Sequence, residues 1–295
     1  MTTRYCKASL YGNIYDIVGK YGAVWVSHSS MGDFLKCPRA YYLHNVYKNP
    51  DTGRKITIVN PALSLGSAVH ATLEALKTLS VEERLRHDLI ADFEKEWESV
   101  SGKKGGFTSV AEEVEAKARG RAMIDRVIKN PGPIAKKTIR LKESDNNMPP
   151  NFYLSEEDNI ILCGLIDWLE YVEADDSVRV IDFKTGKNEE NEDSLQLPIY
   201  LLLLNELQKR RVSGAAYWYL EKSDVPIEVA LPDAALARER VLALARRVKV
   251  AREQRAYECP RAAMGCFACQ PYEAILKGEA EYLGVAGYGQ DAYVV

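Results

Sequence analysis

The fold turns on the stretch ILCGLIDWLEYVEADDSVRVIDFKTG, residues 161–186. Both of its halves are rich in β-branched and aromatic residues, and the cluster Glu173-Ala174-Asp175-Asp176 between them is turn-like. An antiparallel hairpin is therefore expected, with strands over 161–171 and 178–186. A loop of Glu173 to Asp176 sets Asp167 opposite Asp182, whereas sliding the loop centre by one residue sets Asp167 opposite Lys184. In both registers the side-chain period of two leaves Asp167, Asp182 and Lys184 on one face of the sheet.

Carboxylates apposed across a hairpin, with Cβ atoms roughly 4.5–5.5 Å apart, repel unless a cation or a shared proton intervenes. Hard oxygen ligands with room for water suit Mg²⁺ or Mn²⁺, which bind phosphate oxygens and lower the pKa of a bound water. Lys184, two residues from Asp182 on the same strand, is placed to position that water or to stabilise a pentacovalent phosphate. An Asp-x-Lys triplet alone reads as an exposed ion pair. Here Ile181 and Phe183 alternate with the charges and the partner strand is largely apolar, so the hairpin is expected to be central. Charges on a central strand require a partner or a function.

Working outward, residues 25–48 open with serine caps at Ser27, Ser29 and Ser30 and continue with Met31, Phe34 and Leu35, a helix ending near Cys37-Pro38. From Ser64 to Leu79, the spacing of Leu65, Val69, Leu73 and Leu76 gives an amphipathic helix with Gly66, His70 and Glu74 sharing one face. Residues 81–131 are charged and helix-forming apart from Ser101 to Gly106, which reads as a flexible break. After the hairpin come a helix from about 194 to 208 with Pro198 near its first turn, strands near 213–220 and 226–231, and a long helix from about 233 to 256. The last stretch is a tail rich in Gly and Tyr.

The chain has 295 residues, 46% hydrophobic and 27% charged, ample for a sizeable core. A net charge of −3 excludes a protein that holds nucleic acid by bulk electrostatics, so any such site is local. Met1 to Lys20 lacks a signal-peptide progression and no apolar run approaches about 18 residues, so a cytoplasmic protein without membrane contact is expected. The expected organisation is an extension over 1–24, a main domain over 25–275 with a helical insertion at about 80–135, and a tail over 276–295. Six cysteines in a chain this long do not make a disulfide scaffold. Cys259, Cys266 and Cys269 crowd together as metal ligands would, whereas Cys6 and Cys163 read as ordinary thiols. The long helix carries Arg238, Arg240, Arg246, Arg247, Lys249 and Arg252, a row that by itself is a solvated face and beside a phosphodiesterase site is a DNA-contact candidate, with Lys209-Arg210-Arg211 second.

These residues also carry a family resemblance. Val180 to Lys187 resembles the DxKTG motif of RecB-like PD-(D/E)XK nucleases, and Gly164-Leu165-Ile166-Asp167 resembles their GxxD motif. Gly66 to His70 resembles the GxxxH helix, Gln196 to Tyr200 the QxxxY motif, and Ser27 to Tyr42 the SxSxxxxFxxCPRxYY helix of the group that includes the AddB nuclease domain and CRISPR-associated iron–sulfur exonucleases. The resemblance implies an α/β restriction-endonuclease-like core, with a central mixed β-sheet flanked by helices, plus a helical and cysteine-ligated metal subdomain formed by the two ends of the main domain. It implies a Mg²⁺- or Mn²⁺-dependent deoxyribonuclease whose catalytic residues are Asp167, Asp182, Lys184, Gln196 and Tyr200. His70 and Glu74 would join Asp167 and Asp182 at the metal, and Gln196 and Tyr200 would orient Lys184 or hold a phosphate or base.

By the same resemblance Cys37, Cys259, Cys266 and Cys269 would hold a 4Fe–4S cluster, with Zn²⁺ as the alternative because both accept Cys₄ ligation. The spacing here is C-x6-C-x2-C, whereas the family's late pattern is closer to C-x2-C followed by a third cysteine. Exonuclease action on single-stranded or end-containing DNA is the implied activity, in DNA repair, recombination or CRISPR adaptation, either alone or beside a helicase, a recombinase or a CRISPR integrase. Two other classes compete: a non-catalytic DNA-end-binding or assembly subunit, which has no need of apposed carboxylates, and a redox sensor built on the cysteines, which has no need of the hairpin.

Overall fold

The structure, a computed structural model, describes residues 22–141 and 148–295. Cys6 and most of the stretch expected as an N-terminal extension lie outside the described residues. Strand β1 (Val24–Val26) leads into helix α1 (His28–Lys36). Ser27 caps this helix: its hydroxyl accepts the Ser30 N–H at 3.2 Å while the Ser30 hydroxyl accepts the Ser27 N–H at 2.9 Å. Pro38 confines Cys37 to extended backbone (φ −168°, ψ 120°), which ends the helix and opens the single turn α2 (Pro38–Tyr41).

Strand β2 (Ile56–Ile58) precedes α3 (Pro61–Ala75). This helix begins before the Ser64 expected from apolar spacing, because the Asn60 side chain accepts the Leu63 N–H at 3.0 Å and Pro61 occupies a first position that needs no donor. Helices α4 (Val81–Arg86), α5 (Leu89–Glu98) and α6 (Val110–Lys129) follow. The stretch expected as a flexible break between the last two is instead a packed turn. Its Gly105 carbonyl accepts the Ser64 hydroxyl at 2.9 Å, and Gly106 sits at φ 76° with the Asn60 backbone only 2.8 Å from where a Cβ would be. Glycine is required there twice over, by dihedral and by space.

The remaining elements are β3 (Asn151–Ser155), β4 (Ile160–Cys163), β5 (Trp168–Val172), β6 (Ser177–Lys184), α7 (Gln196–Leu207), β7 (Val212–Tyr219), β8 (Ile227–Val229), α8 (Ala234–Gln254), α9 (Gln270–Leu276), β9 (Glu281–Val285) and β10 (Asp291–Val294). The hairpin β5–β6 pairs Trp168 with Ile181 and Val172 with Ser177, the register that carries Asp167 to the position opposite Asp182. One expectation is corrected: 161–171 is not a single strand. β4 pairs antiparallel with β3 and parallel with β1 in a separate sheet, and the chain leaves it through Gly164 to Asp167 before β5 begins. At the crossing Gly164 passes over α7, where a Cβ would lie 2.9 Å from Leu203 Cδ1.

The sheet that carries the site runs β5-β6-β7-β8 and is mixed, with β6 and β7 parallel and the outer pairs antiparallel. Alternation along β6 divides its apolar residues between two cores. Val178 and Val180 face α7 and α8, packing with Ile199, Leu203, Val241 and Ala245. Ile181 and Phe183 face α3, α5 and α6, packing with Val69, Leu73, Phe93 and Met123. Residues 80–135, expected as a helical insertion, thus supply most of one layer covering the sheet. The Gly- and Tyr-rich end, expected as a tail, forms β9 and β10, with β10 parallel to β2. Asp291 is fully buried at the start of β10 and accepts from Asn49 at 3.2 Å, which ties this strand to the loop after α2. Among the described residues no helix is long and apolar enough to cross a membrane.

Candidate active site and cysteine cluster

Asp182 and Lys184 leave the C-terminal end of β6 on its α7 side, and Gln196 and Tyr200, one turn apart on α7, meet them. Asp182 Oδ1 accepts from Gln196 Nε2 at 2.7 Å and from Tyr200 Oη at 3.0 Å. Asp182 Oδ2 lies 3.0 Å from the Lys184 ammonium but outside hydrogen-bond geometry, and is a buried oxygen with no hydrogen-bond partner. Lys184 Nζ also contacts Gln196 Oε1 and lies 2.7 Å from Glu190 Oε2 and 4.9 Å from the centre of the Tyr217 ring.

Asp167 sits just before β5, and its carboxylate turns toward α3. Oδ2 accepts the Phe183 N–H at 2.9 Å, and Oδ1 is 3.4 Å from His70 Nδ1. Ligand atoms of His70, Glu74 and Asp167 lie within 4.8 Å of one another. His70 and Glu74 project together because they are four residues apart on α3. Asp167 thus bridges toward α3 while Asp182 is held from α7. The two carboxylates feel each other's charge but are gripped from different layers.

Burial and the neighbouring Asp167 charge push the Asp182 carboxyl up to about 7, against the lowering influence of Lys184 and Tyr200. Burial acts on Asp167 in the same sense, but the His70 ring, the Phe183 N–H and Lys77 outweigh it and hold that carboxyl below the usual range. His70 is correspondingly raised: burial opposes its protonation, and Asp167 overcomes the burial. Lys184 is raised too, with Asp182 and Glu190 overcoming burial. Below neutral pH the pair therefore holds one charge, and the second requires an added cation or a proton released. The His70 imidazole and the carboxylates of Glu74 and Asp167 are a donor set that fits a hard divalent cation. Asp182, which is not part of their 4.8 Å cluster, adds a carboxylate with one buried oxygen lacking a hydrogen bond.

Sequence reasoning missed three residues around this centre. Glu190 lies in the acidic run Glu189 to Asp193 and reads as a solvated loop charge, yet its side chain is ion-paired with Lys184. Lys77 sits one turn past Glu74 and donates to the Ile166 carbonyl at 3.0 Å, bracing the crossing that delivers Asp167. His28 opens α1, and its pKa is lowered by burial and then by Lys184, with Glu190 acting in the opposite sense. The helix-face spacing that identified His70 and Glu74 extends to Lys77 and could have found it; nothing local marks Glu190 or His28.

The basic row on α8 is mostly engaged within the chain. Arg246 pairs with Asp158 at 2.8 Å and Lys249 with Glu253 at 3.5 Å, while Arg238 and Arg240 donate to the Leu154 and Asp193 carbonyls. Arg247 lies over the Phe34 ring, 5.9 Å from its centre. Arg210 and Arg211 pair with Asp176 and Asp175 in the β5–β6 turn. That turn is at the opposite end of β6 from Asp182, roughly 20 Å away at the rise of an extended strand.

Cys37 between α1 and α2, Cys259 after α8, and Cys266 and Cys269 before α9 bring their sulfurs within 4.8 Å of one another, and all four are free thiols. Three are buried, and with Ala40 they form a small apolar cluster of their own. Burial pushes the Cys37 thiol up to about 12, whereas at Cys266 the backbone N–H groups of Cys269 and Ala268 outweigh burial and bring it to about 7. Four convergent sulfurs that mix buried thiols with backbone donors can hold a thiophilic metal. Cys163 is apart from this group, its thiol directed at the Val26 carbonyl. In comparisons with known proteins, the model of the PD-(D/E)XK nuclease superfamily matches residues 25–274, and no curated protein matches the chain.

Proposed function

Since the chain belongs to the PD-(D/E)XK nuclease superfamily, we propose that it is a divalent-cation-dependent deoxyribonuclease, an exonuclease that removes nucleotides from DNA ends. The observation that carries this reading is Asp182 Oδ2, buried beside a second carboxylate with only the Lys184 ammonium near it, 3.0 Å away and outside hydrogen-bond geometry. An oxygen so placed is costly unless a cation completes it. His70, Glu74, Asp167 and Asp182 would hold that cation. Bound Mg²⁺ or Mn²⁺ supplies a Lewis acid for the scissile phosphate and lowers the pKa of water.

The chain's own side chains supply orientation and charge. Gln196 and Tyr200 fix Asp182 through Oδ1, so that Oδ2, held only by its ion pair with Lys184, is the oxygen that would turn to a ligand. Lys184 presents an ammonium where negative charge grows on the phosphate as water adds across one P–O bond. Arg246, Arg247 and Lys249 would track the DNA backbone, with Arg210 and Arg211 a more distant contact. The four cysteines would carry a 4Fe–4S cluster, or Zn²⁺ in its place.

The test is incubation of purified protein with end-labelled single-stranded DNA and Mn²⁺. Short products are expected, and a chelator should abolish them. Asp182→Ala and Lys184→Ala should each lower the rate by about 10²–10³-fold or more while remaining folded. Undiminished cleavage by Asp182→Ala would overturn the assignment. DNA-end binding by the wild type without any cleavage would instead identify a non-catalytic end-binding subunit.

A further inference from the structure

We propose that Glu190 is the positioning residue for Lys184, holding its ammonium over the site once Asp182 is committed to a cation. The inference rests on the nuclease reading above and adds to it a residue that no motif contains. An ammonium has three donors and no acceptor. Around Lys184 Nζ stand three oxygens: Asp182 Oδ2, an ion-pair partner at 3.0 Å, Glu190 Oε2 at 2.7 Å, and Gln196 Oε1. Asp182 Oδ2 is also the oxygen left without a hydrogen bond, hence the one a cation would take. A cation there competes with and repels the ammonium, and the lysine must then be held by its other two partners.

Those two differ in charge. Gln196 is neutral, and its amide nitrogen is engaged by Asp182. Glu190 is the remaining anion in contact with the ammonium, so it balances Lys184 just as the other carboxylates balance the cation. The fold fixes Glu190 independently of Lys184. Its backbone N–H donates to Tyr219 Oη at 3.0 Å, and Tyr219 is the residue of β7 paired in register with Lys184. The same pairing that aligns the two strands therefore anchors the loop bearing the carboxylate. The Tyr217 ring closes the lysine from the side of β7. A four-carbon side chain with high rotamer entropy is thus confined by groups from two strands, one loop and one helix.

The experiment compares Glu190→Gln and Glu190→Ala with the wild type. Expected are a kcat lower by about 10- to 100-fold, with Glu190→Gln the milder because it keeps the acceptor, and a KM for single-stranded DNA, a Mn²⁺ dissociation constant and a melting temperature close to wild type. Added formate should restore part of kcat in Glu190→Ala and none in Glu190→Gln. Independently of turnover, ¹⁵N NMR of the protein with diamagnetic Mg²⁺ added should show the Lys184 ammonium more mobile in both variants. Unchanged kcat together with unchanged ammonium mobility would overturn the proposal. So would a kcat loss matched by losses in Mn²⁺ affinity and melting temperature, which marks a structural support. Absence of cleavage by the wild type would refute the nuclease reading instead, and the NMR comparison would still decide the role of Glu190.

Discussion

At the scale of the residue, the decisive feature is one side chain whose two oxygens live different lives. Asp182 Oδ1 accepts two hydrogen bonds and Oδ2 accepts none, facing only the misaligned Lys184 ammonium, and the carboxyl is pushed up to about 7 by burial and by Asp167. In the unfolded chain the same group titrates near 3.8. Between these values the folded protein keeps a proton that the unfolded chain releases, so stability from this group is complete below about 4 and is lost as pH rises through about 7. Comparison of the metal-free proteins should therefore show that going from pH 4.5 to pH 7 changes the melting temperature less favourably in the wild type than in Asp182→Asn. Asp167 does not confound this window, because its lowered pKa places its titration below it. Mn²⁺ binding, which needs the ionised form, should tighten with pH until about 7 and then level off. A Mn²⁺ affinity that is flat from pH 5 to 7.5, measured by calorimetry, would contradict this account of Asp182.

At the scale of the element, the site depends on a chain crossing rather than on a continuous strand. Gly164 to Asp167 carry the backbone from the sheet of β4 to the sheet of β5 across α7, and a Cβ at Gly164 would fit only if the Leu203 methyl shifted. Gly164→Ala should overpack this crossing and cost about 1–3 kcal/mol in a denaturant titration. Because the obstacle is a side-chain methyl, combining it with Leu203→Ala should cost less than the sum of the two single changes. Strict additivity would place the constraint elsewhere. The GxxD spacing was legible in the sequence, but the glycine there reads as a feature of a strand; only the crossing explains it. Turn composition left two hairpin registers open, and the structure takes the one in which a loop of Glu173 to Asp176 leaves Val172 and Ser177 as its closing pair.

At the scale of the whole molecule, α1 joins two distant chemistries. His28, its first residue, feels the charges of Glu190 and Lys184, and Cys37, just beyond its last, lies among three cysteines from the far end of the chain. A metal held there would close a loop of more than two hundred residues and restrict the unfolded chain much as a crosslink does. Anaerobically purified protein is expected to be brown from thiolate-to-iron charge transfer, and Cys37→Ser should bleach it and lower the melting temperature. Colourless protein with stoichiometric zinc would exchange the metal and keep the clip. A Cys37→Ser variant with unaltered metal content and melting temperature would remove Cys37 from the site.

The sequence by itself determined that 178–186 is a strand with Asp182 and Lys184 on one face, the residues on the α3 and α7 faces and the crowding of Cys259, Cys266 and Cys269, because each follows from a local period or from a spacing of a few residues. The choice between two hairpin registers was made by the structure. It also sufficed for the family resemblance, whose motifs are short and ordered along the chain. Only the tertiary structure decided which oxygen of Asp182 is left without a donor, that Asp167 is drawn toward α3, and that Glu190 meets Lys184. It also decided that most of the basic row on α8 is engaged by partners such as Asp158 and the Leu154 carbonyl. These depend on how the two layers meet at the ends of the strands. Distances between side chains on separate elements are set there by packing, which no local pattern encodes.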